Sequence, residues 1–123
     1  MISPWSDSAS LISPDGRITA SIEDAGEIAM GAPTSGTLIL STGLTVERCS
    51  PSMVWSDDSR YLAVPRWTLN RHQQLVIVDA LEGAVGTLPG TYRVLQLESF
   101  HDGIVRGVDS PIHQTHPIAI QAG

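Results

Sequence analysis

Trp55-Ser56-Asp57-Asp58-Ser59-Arg60-Tyr61-Leu62-Ala63 decides the fold, because Ser13-Pro14-Asp15-Gly16-Arg17-Ile18-Thr19-Ala20 repeats its Ser-to-Ala portion at an offset of 43 residues. In both copies Asp and Ser side chains are placed to hydrogen-bond their own backbone and close a polar turn. The turn delivers the chain into a strand, Ile18 to Ile22 in one copy and Tyr61 to Val64 in the other. The same step lands next on Ser99-Phe100-His101-Asp102-Gly103-Ile104-Val105, a weaker copy in which Asp-Gly is shifted by one and no Ala follows.

Outward from these turns, apolar runs of four to six residues recur between turn signals, which predicts many short strands. They are expected near Ala9 to Ile12, Arg17 to Ile22, Glu27 to Met30, Thr37 to Ser41, Thr45 to Cys49, Met53 to Trp55, Tyr61 to Pro65, Gln74 to Asp79, Ala84 to Leu88, Tyr92 to Glu98, Ile104 to Val108 and Ile118 to Gln121. The joints carry Gly, Pro, Asn and Asp, as in Asp24-Ala25-Gly26, Ala32-Pro33-Thr34-Ser35-Gly36 and Pro89-Gly90, and leave little room for a helix. Leu75-Val76-Ile77-Val78 is apolar at four consecutive positions, the pattern of a strand buried on both faces. The expectation is one all-β domain over residues 1–123, built of small antiparallel sheets.

The repeat resembles the Trp-Ser-x-Asp-Gly-Arg-x-Leu-Ala motif of the TolB-like and WD40-like β-propeller families, with 55–63 the better copy and 13–20 the partial one. The resemblance implies blade-like repeats starting near 13, 56 and, weakly, 99. At 123 residues the chain holds a little under three such units, whereas closed propellers use four to eight. An open arc exposes strand edges and an apolar flank. Three arrangements resolve this: a compact sandwich-like fold, a self-completing dimer, or an open partial propeller whose free side binds a partner.

With 41% hydrophobic and 16% charged residues the chain reads as globular. The single Cys49 excludes an internal disulfide framework, and no secretory leader or apolar run of about 18 residues is seen. A cytoplasmic location is the expectation. Net charge is −6, and residues 1–58 carry all of it, with eight acids against two arginines, while the remainder balances five against five. Such a field repels nucleic acid and anionic membranes and draws basic surfaces in, or simply keeps the protein soluble. Every cation is an arginine.

Motifs for catalysis are not found. His113 and His116 are spaced for a shared metal on a helix, but Pro111 and Pro117 bracket them and no third ligand is near, so neither metal nor cofactor is expected. Cys49 reads as a small buried hydrophobe. No serine sits in Gly-x-Ser-x-Gly, and no glycine-rich phosphate loop occurs. Asp15, Asp57 and Asp58 are assigned to capping the repeated turns, with Arg17 and Arg60 expected to pair with such carboxylates or turn carbonyls; His72 and His101 read as surface. Trp55 reads as core, and Trp67 lies in Pro65-Arg66-Trp67-Thr68-Leu69-Asn70-Arg71-His72, read as a loop with the Arg and Trp composition of interface hot spots, ordinary packing of the ring being the alternative.

These readings point to a non-catalytic protein-binding module. In size, acidity and lack of catalytic motifs the chain resembles the small immunity proteins with which bacteria neutralise a toxin. Against a basic, nuclease-like toxin the expected contact residues are Glu23, Asp24, Glu27, Asp57 and Asp58, with Arg66, Trp67 and Arg71 as further partner-binding positions. The alternative is an accessory or partial-propeller domain of a larger hydrolase, or a scaffold that completes itself as a homodimer.

Overall fold

The two copies of the repeat close the same turn bond for bond. A computed structural model describes residues 2–6, 8–27, 33–110 and 116–122, with the backbone alone for Glu23, Asp24, Ala25, Glu27 and His116. Ser13 N–H donates to the Ile18 carbonyl and Ser56 N–H to the Tyr61 carbonyl, both at 2.8 Å. The Ser13 hydroxyl donates to Asp15 Oδ1 at 2.7 Å, and that of Ser56 to Asp58 Oδ1 at 2.5 Å. The same carboxylate oxygens accept Arg17 N–H (3.0 Å) and Arg60 N–H (3.1 Å), while the serine oxygens accept Ile18 N–H (3.1 Å) and Tyr61 N–H (3.0 Å). Gly16 and Ser59 hold the left-handed position of each turn, at φ 76° and 65°. Glycine takes that conformation freely and serine does not. The Ser59 hydroxyl accepts Asp15 N–H at 2.9 Å and so ties the second turn to the first.

From these turns run eleven strands and, among the described residues, no helix. β1 (Ala9–Ile12), β2 (Thr19–Glu27), β3 (Thr34–Leu40) and β4 (Thr45–Cys49) form one antiparallel meander. β5 (Val54–Trp55), β6 (Tyr61–Trp67), β7 (Gln73–Asp79) and β8 (Ala84–Thr87) form a second. One residue pair, Cys49 with Arg66, joins them into a single sheet. β9 (Leu95–His101), β10 (Ile104–Asp109) and β11 (His116–Gln121) make a third meander, the third sheet, which is antiparallel in the order β11-β10-β9 and separate from the joined pair. The chain is therefore all-β and antiparallel, and its sheets do not close on themselves.

The middle meander is buried on both faces. Leu62, Val64, Val76 and Val78 pack with Ala20, Ile22, Leu38 and Leu40 of the first meander. The alternate residues Ala63 and Leu75 pack with Leu95, Leu97, Phe100 and Val105 of the third sheet, and Tyr61 and Ile77 lie against that cluster. Two cores on one strand pair account for the unbroken run Leu75 to Val78, since both pleat directions meet apolar neighbours. The outer faces are mixed: Thr37, Thr45 and Glu47 are exposed on one flank together with Ile12 and Ile39, and Glu98, Arg106 and Gln121 on the other. Cys49 is fully buried, and burial pushes its thiol up to about 12. Among the described residues no helix is long and apolar enough to cross a membrane.

Several boundaries differ from the sequence expectation. Glu27 ends β2 instead of opening a strand of its own, and residues 28–30 of that expected strand lie outside the described residues. Thr34 to Gly36, read as a joint, are the start of β3. There the Thr34 N–H donates to the Pro4 carbonyl at 3.0 Å and its hydroxyl to the Ser6 carbonyl at 2.6 Å, bonds with the amino-terminal segment that no local pattern reveals. Beyond the expected strand Tyr61 to Pro65, Arg66 and Trp67 extend β6 and are not loop.

Candidate functional site

The repeated turns meet at one end of the sheets. Turn one is tied to turn two through Ser59, and turn two is tied to the β9–β10 turn by a hydrogen bond between Asp57 Oδ2 and His101 Nδ1. His101 Nε2 also faces Asp102 Oδ2 at 3.2 Å. A neutral imidazole can donate from one nitrogen only, so two carboxylate neighbours favour the imidazolium. The hydrogen bond to Asp57, with the charge of Asp102 behind it, raises the His101 pKa. Asp57 is thus not a turn cap, as its place in the motif suggested, but the link to the third sheet.

Asp15 and Asp58 do cap their turns, and the serine hydroxyl at each, followed by the arginine backbone N–H, holds the carboxyl below the ordinary range. Arg60 reaches past the turn to Asp79 at 3.0 Å and to Glu82 at 3.7 Å, and its guanidinium carbon lies 5.2 Å from the Tyr61 ring centre. The bond from Arg60 also lowers the Asp79 pKa. Arg17 approaches Asp15 only at 3.9 Å, in solvent.

Between the middle meander and the third sheet these turns frame a cavity of about 380 Å³. Tyr61, Ile77, Phe100 and Ala122 give it apolar walls, and Asp57, Asp58 and Asp102 stand in its lining beside them. A second recess of about 360 Å³, lined by Leu11, Met53 and Trp55 among others, shares Asp57 and Phe100 with the first. An apolar shaft with carboxylates around it suits a long cationic side chain, whose methylenes bury while its charge stays with the acids.

The pH dependence follows from the signs. His101 is raised, so its contribution is complete below its ordinary value of 6.5 and fades as pH climbs through the higher folded value. Asp15, Asp58 and Asp79 are lowered, so theirs is complete above 3.8 and is lost as pH falls through the depressed values. We expect the melting temperature of the wild type to exceed that of His101→Gln at pH about 5.5 and the gap to close by pH about 9. A gap that stays constant over that range would mean the Asp57 link does not form.

The eight expected contact residues do not share one surface. Asp57 and Asp58 are at the turn end. Glu23, Asp24 and Glu27 follow along β2 away from that end, Glu27 eight positions past Thr19, or about 26 Å of strand. Arg66, Trp67 and Arg71 lie at the far end of β6 and in the turn after it, about 20 Å from Tyr61. Trp67, for which the sequence leaves both a partner-contacting loop and ordinary packing open, is packed: it is 6% exposed, and its indole N–H donates to the Thr34 carbonyl at 3.3 Å. Sequence reasoning passed over Tyr61, Ile77, Phe100, Asp102 and Ala122. Tyr61 lies in the second copy of the repeat and Phe100 and Asp102 in the third, while Ile77 and Ala122 carried no signal toward this site.

Among the described residues no three His, Cys, Asp or Glu side chains are grouped to hold a metal, and His113 lies outside those residues. No protein-family model, no curated protein and no solved structure matches the chain.

Proposed function

We propose that this chain is a non-catalytic protein-binding module, a small acidic cytoplasmic inhibitor of the immunity-protein kind that neutralises a basic, nuclease-like toxin. Its three meanders read as propeller-like blades set side by side in an open arc, held together by the turn-to-turn bonds. The cavity at the turn end carries the proposal: apolar walls beside Asp57, Asp58 and Asp102 are complementary to an arginine or lysine presented by a basic partner. Asp57, Asp58 and Asp102 together outweigh the one imidazolium of His101 that Asp57 and Asp102 share, and the net negative charge favours basic partners at the encounter stage, because clefts focus the field of their charges.

The test begins with a basic protein captured from the native host on the immobilised chain. Its association with Asp57→Asn/Asp102→Asn is expected to be roughly tenfold slower than with the wild type at low salt, the difference shrinking at high salt. Glu23→Gln/Asp24→Asn/Glu27→Gln, which removes charge along β2, serves as the comparison. An equal slowing by that variant would move the contact away from the cavity, and no slowing by either would remove the electrostatic basis of the proposal.

A further inference from the structure

We propose that the recess where β4, β6, β7 and β8 come together is a binding site for an oxyanion, a carboxylate or phosphate group borne on an apolar molecule. This recess, about 240 Å³ in volume, is separate from the turn-end cavity and shares no lining residue with it. Its lining holds two arginines, Arg48 and Arg66, with the hydroxyl of Thr68 and the amide of Gln74, and no carboxylate. Leu69, 88% exposed, supplies apolar surface at the rim, and Trp67 and the fully buried Val76 stand behind it in the lining.

The backbone is bent to bring the two arginines there. In the β3–β4 ladder Gly36 pairs with Cys49 and Leu38 with Val46, so Glu47 and Arg48 together oppose Thr37 alone. This is a bulge, a device that re-aims a side chain. Arg48 sits in it at φ 60°, a left-handed conformation that glycine adopts freely and L side chains avoid. Arg66 is held next to it by the Cys49–Arg66 bridge and by its own Nε–H, which donates to the Glu47 carbonyl at 3.2 Å. Neither guanidinium has a carboxylate partner among the described residues, in a chain with thirteen acids and seven arginines. Thr68 Oγ1 accepts the His72 N–H at 3.2 Å, which leaves its own proton to donate. Two like charges gathered at backbone cost, over a donor-rich recess, are relieved by an anion that takes both.

The test uses the whole ¹⁵N-labelled chain, titrated separately with phenyl phosphate and with phenylacetate, and with potassium chloride at matched ionic strength. The Arg66 Nε–H and Trp67 indole signals are expected to shift and saturate with one or both organic anions and not with chloride. Saturation by phenyl phosphate alone assigns the site to phosphate carriers, and saturation by phenylacetate alone assigns it to carboxylates. Arg48→Gly is the informative variant, because it relieves the left-handed residue: its melting temperature should equal or exceed that of the wild type while affinity falls at least tenfold. Arg66→Gln, at an ordinary strand position, should weaken binding as well. Shifts that rise without saturating, that chloride reproduces, or that survive both substitutions would overturn the proposal.

Discussion

Phe100→Ala is expected to cost about 3–5 kcal/mol of stability, among the largest effects of any single truncation in this chain. Phe100 is 4% exposed and packs with Val54, Ala63, Leu75, Leu97 and Val105, residues drawn from both sides of the contact between the middle meander and the third sheet. It also lines both recesses at the turn end. Removing the ring leaves space that adjoins two existing openings and that rigid strands cannot close by collapsing, so the loss stays near the top of the usual range. At this chain length about 4 °C accompanies each kcal/mol, which puts the fall in melting temperature at roughly 12–20 °C. Amide exchange should be uneven: Leu97 and Val105 in the third sheet lose protection before Ile22 and Leu38 in the first core. Phe100→Leu, which keeps most of the volume, should cost about 1 kcal/mol. A loss below about 1 kcal/mol for the alanine variant, or uniform loss of protection, would mean that the third sheet does not dock through this ring.

What the sequence disclosed and what it hid divide along the range of the interactions. The turns at Ser13 and Ser56 were legible because their bonds run between residues at most five apart, and Asp, Ser and Gly each have a local reason to be there. The antiparallel meanders follow from such turns, since a short turn can join only neighbouring antiparallel strands. Trp67 was misplaced because two arginines and a proline around it mimic a solvated loop. Its burial is decided by the Thr34 carbonyl, 33 residues away in sequence.

The candidate site was less legible for the same reason. Its apolar walls come from β6, β7, β9 and the carboxyl-terminal Ala122, which no window of sequence contains together. Acidic residues looked equivalent in the sequence, and strand length then carried Glu27 away from Asp57. Asp57 and Asp58, adjacent in the chain, hold different tasks because successive side chains leave the backbone in different directions: Asp58 turns back on its own loop and Asp57 outward to His101. Arg48 gave no signal, since a bulge depends on how β3 and β4 are paired and not on either strand alone.

Gly107→Ala is expected to destabilise the third sheet by about 3 kcal/mol or more, at the upper end of what overpacking costs. A Cβ at this position would fall on the Gln96 carbonyl oxygen and lie 3.0 Å from Leu97 Cα. Both are backbone atoms, so no change of rotamer makes room. The strand cannot step aside either, because Gly107 pairs with Leu97 between the Arg106–Ser99 and Val108–Gln96 pairs, at the shift in register that leaves Glu98 unpaired. Moving β10 outward would lift Val105 off Leu97 and Phe100 and open the turn-end cavity from behind. Loss of partner binding should therefore accompany the loss of stability. Gly86→Ala is the control, since a Cβ there meets nothing within 4 Å and its backbone is not left-handed. That variant should melt at the wild-type temperature or up to about 4 °C above it, because trading Gly for Ala in a compatible conformation reduces only the freedom of the unfolded chain. Equal melting temperatures for the two variants would mean that β9 and β10 do not approach as closely as their register requires.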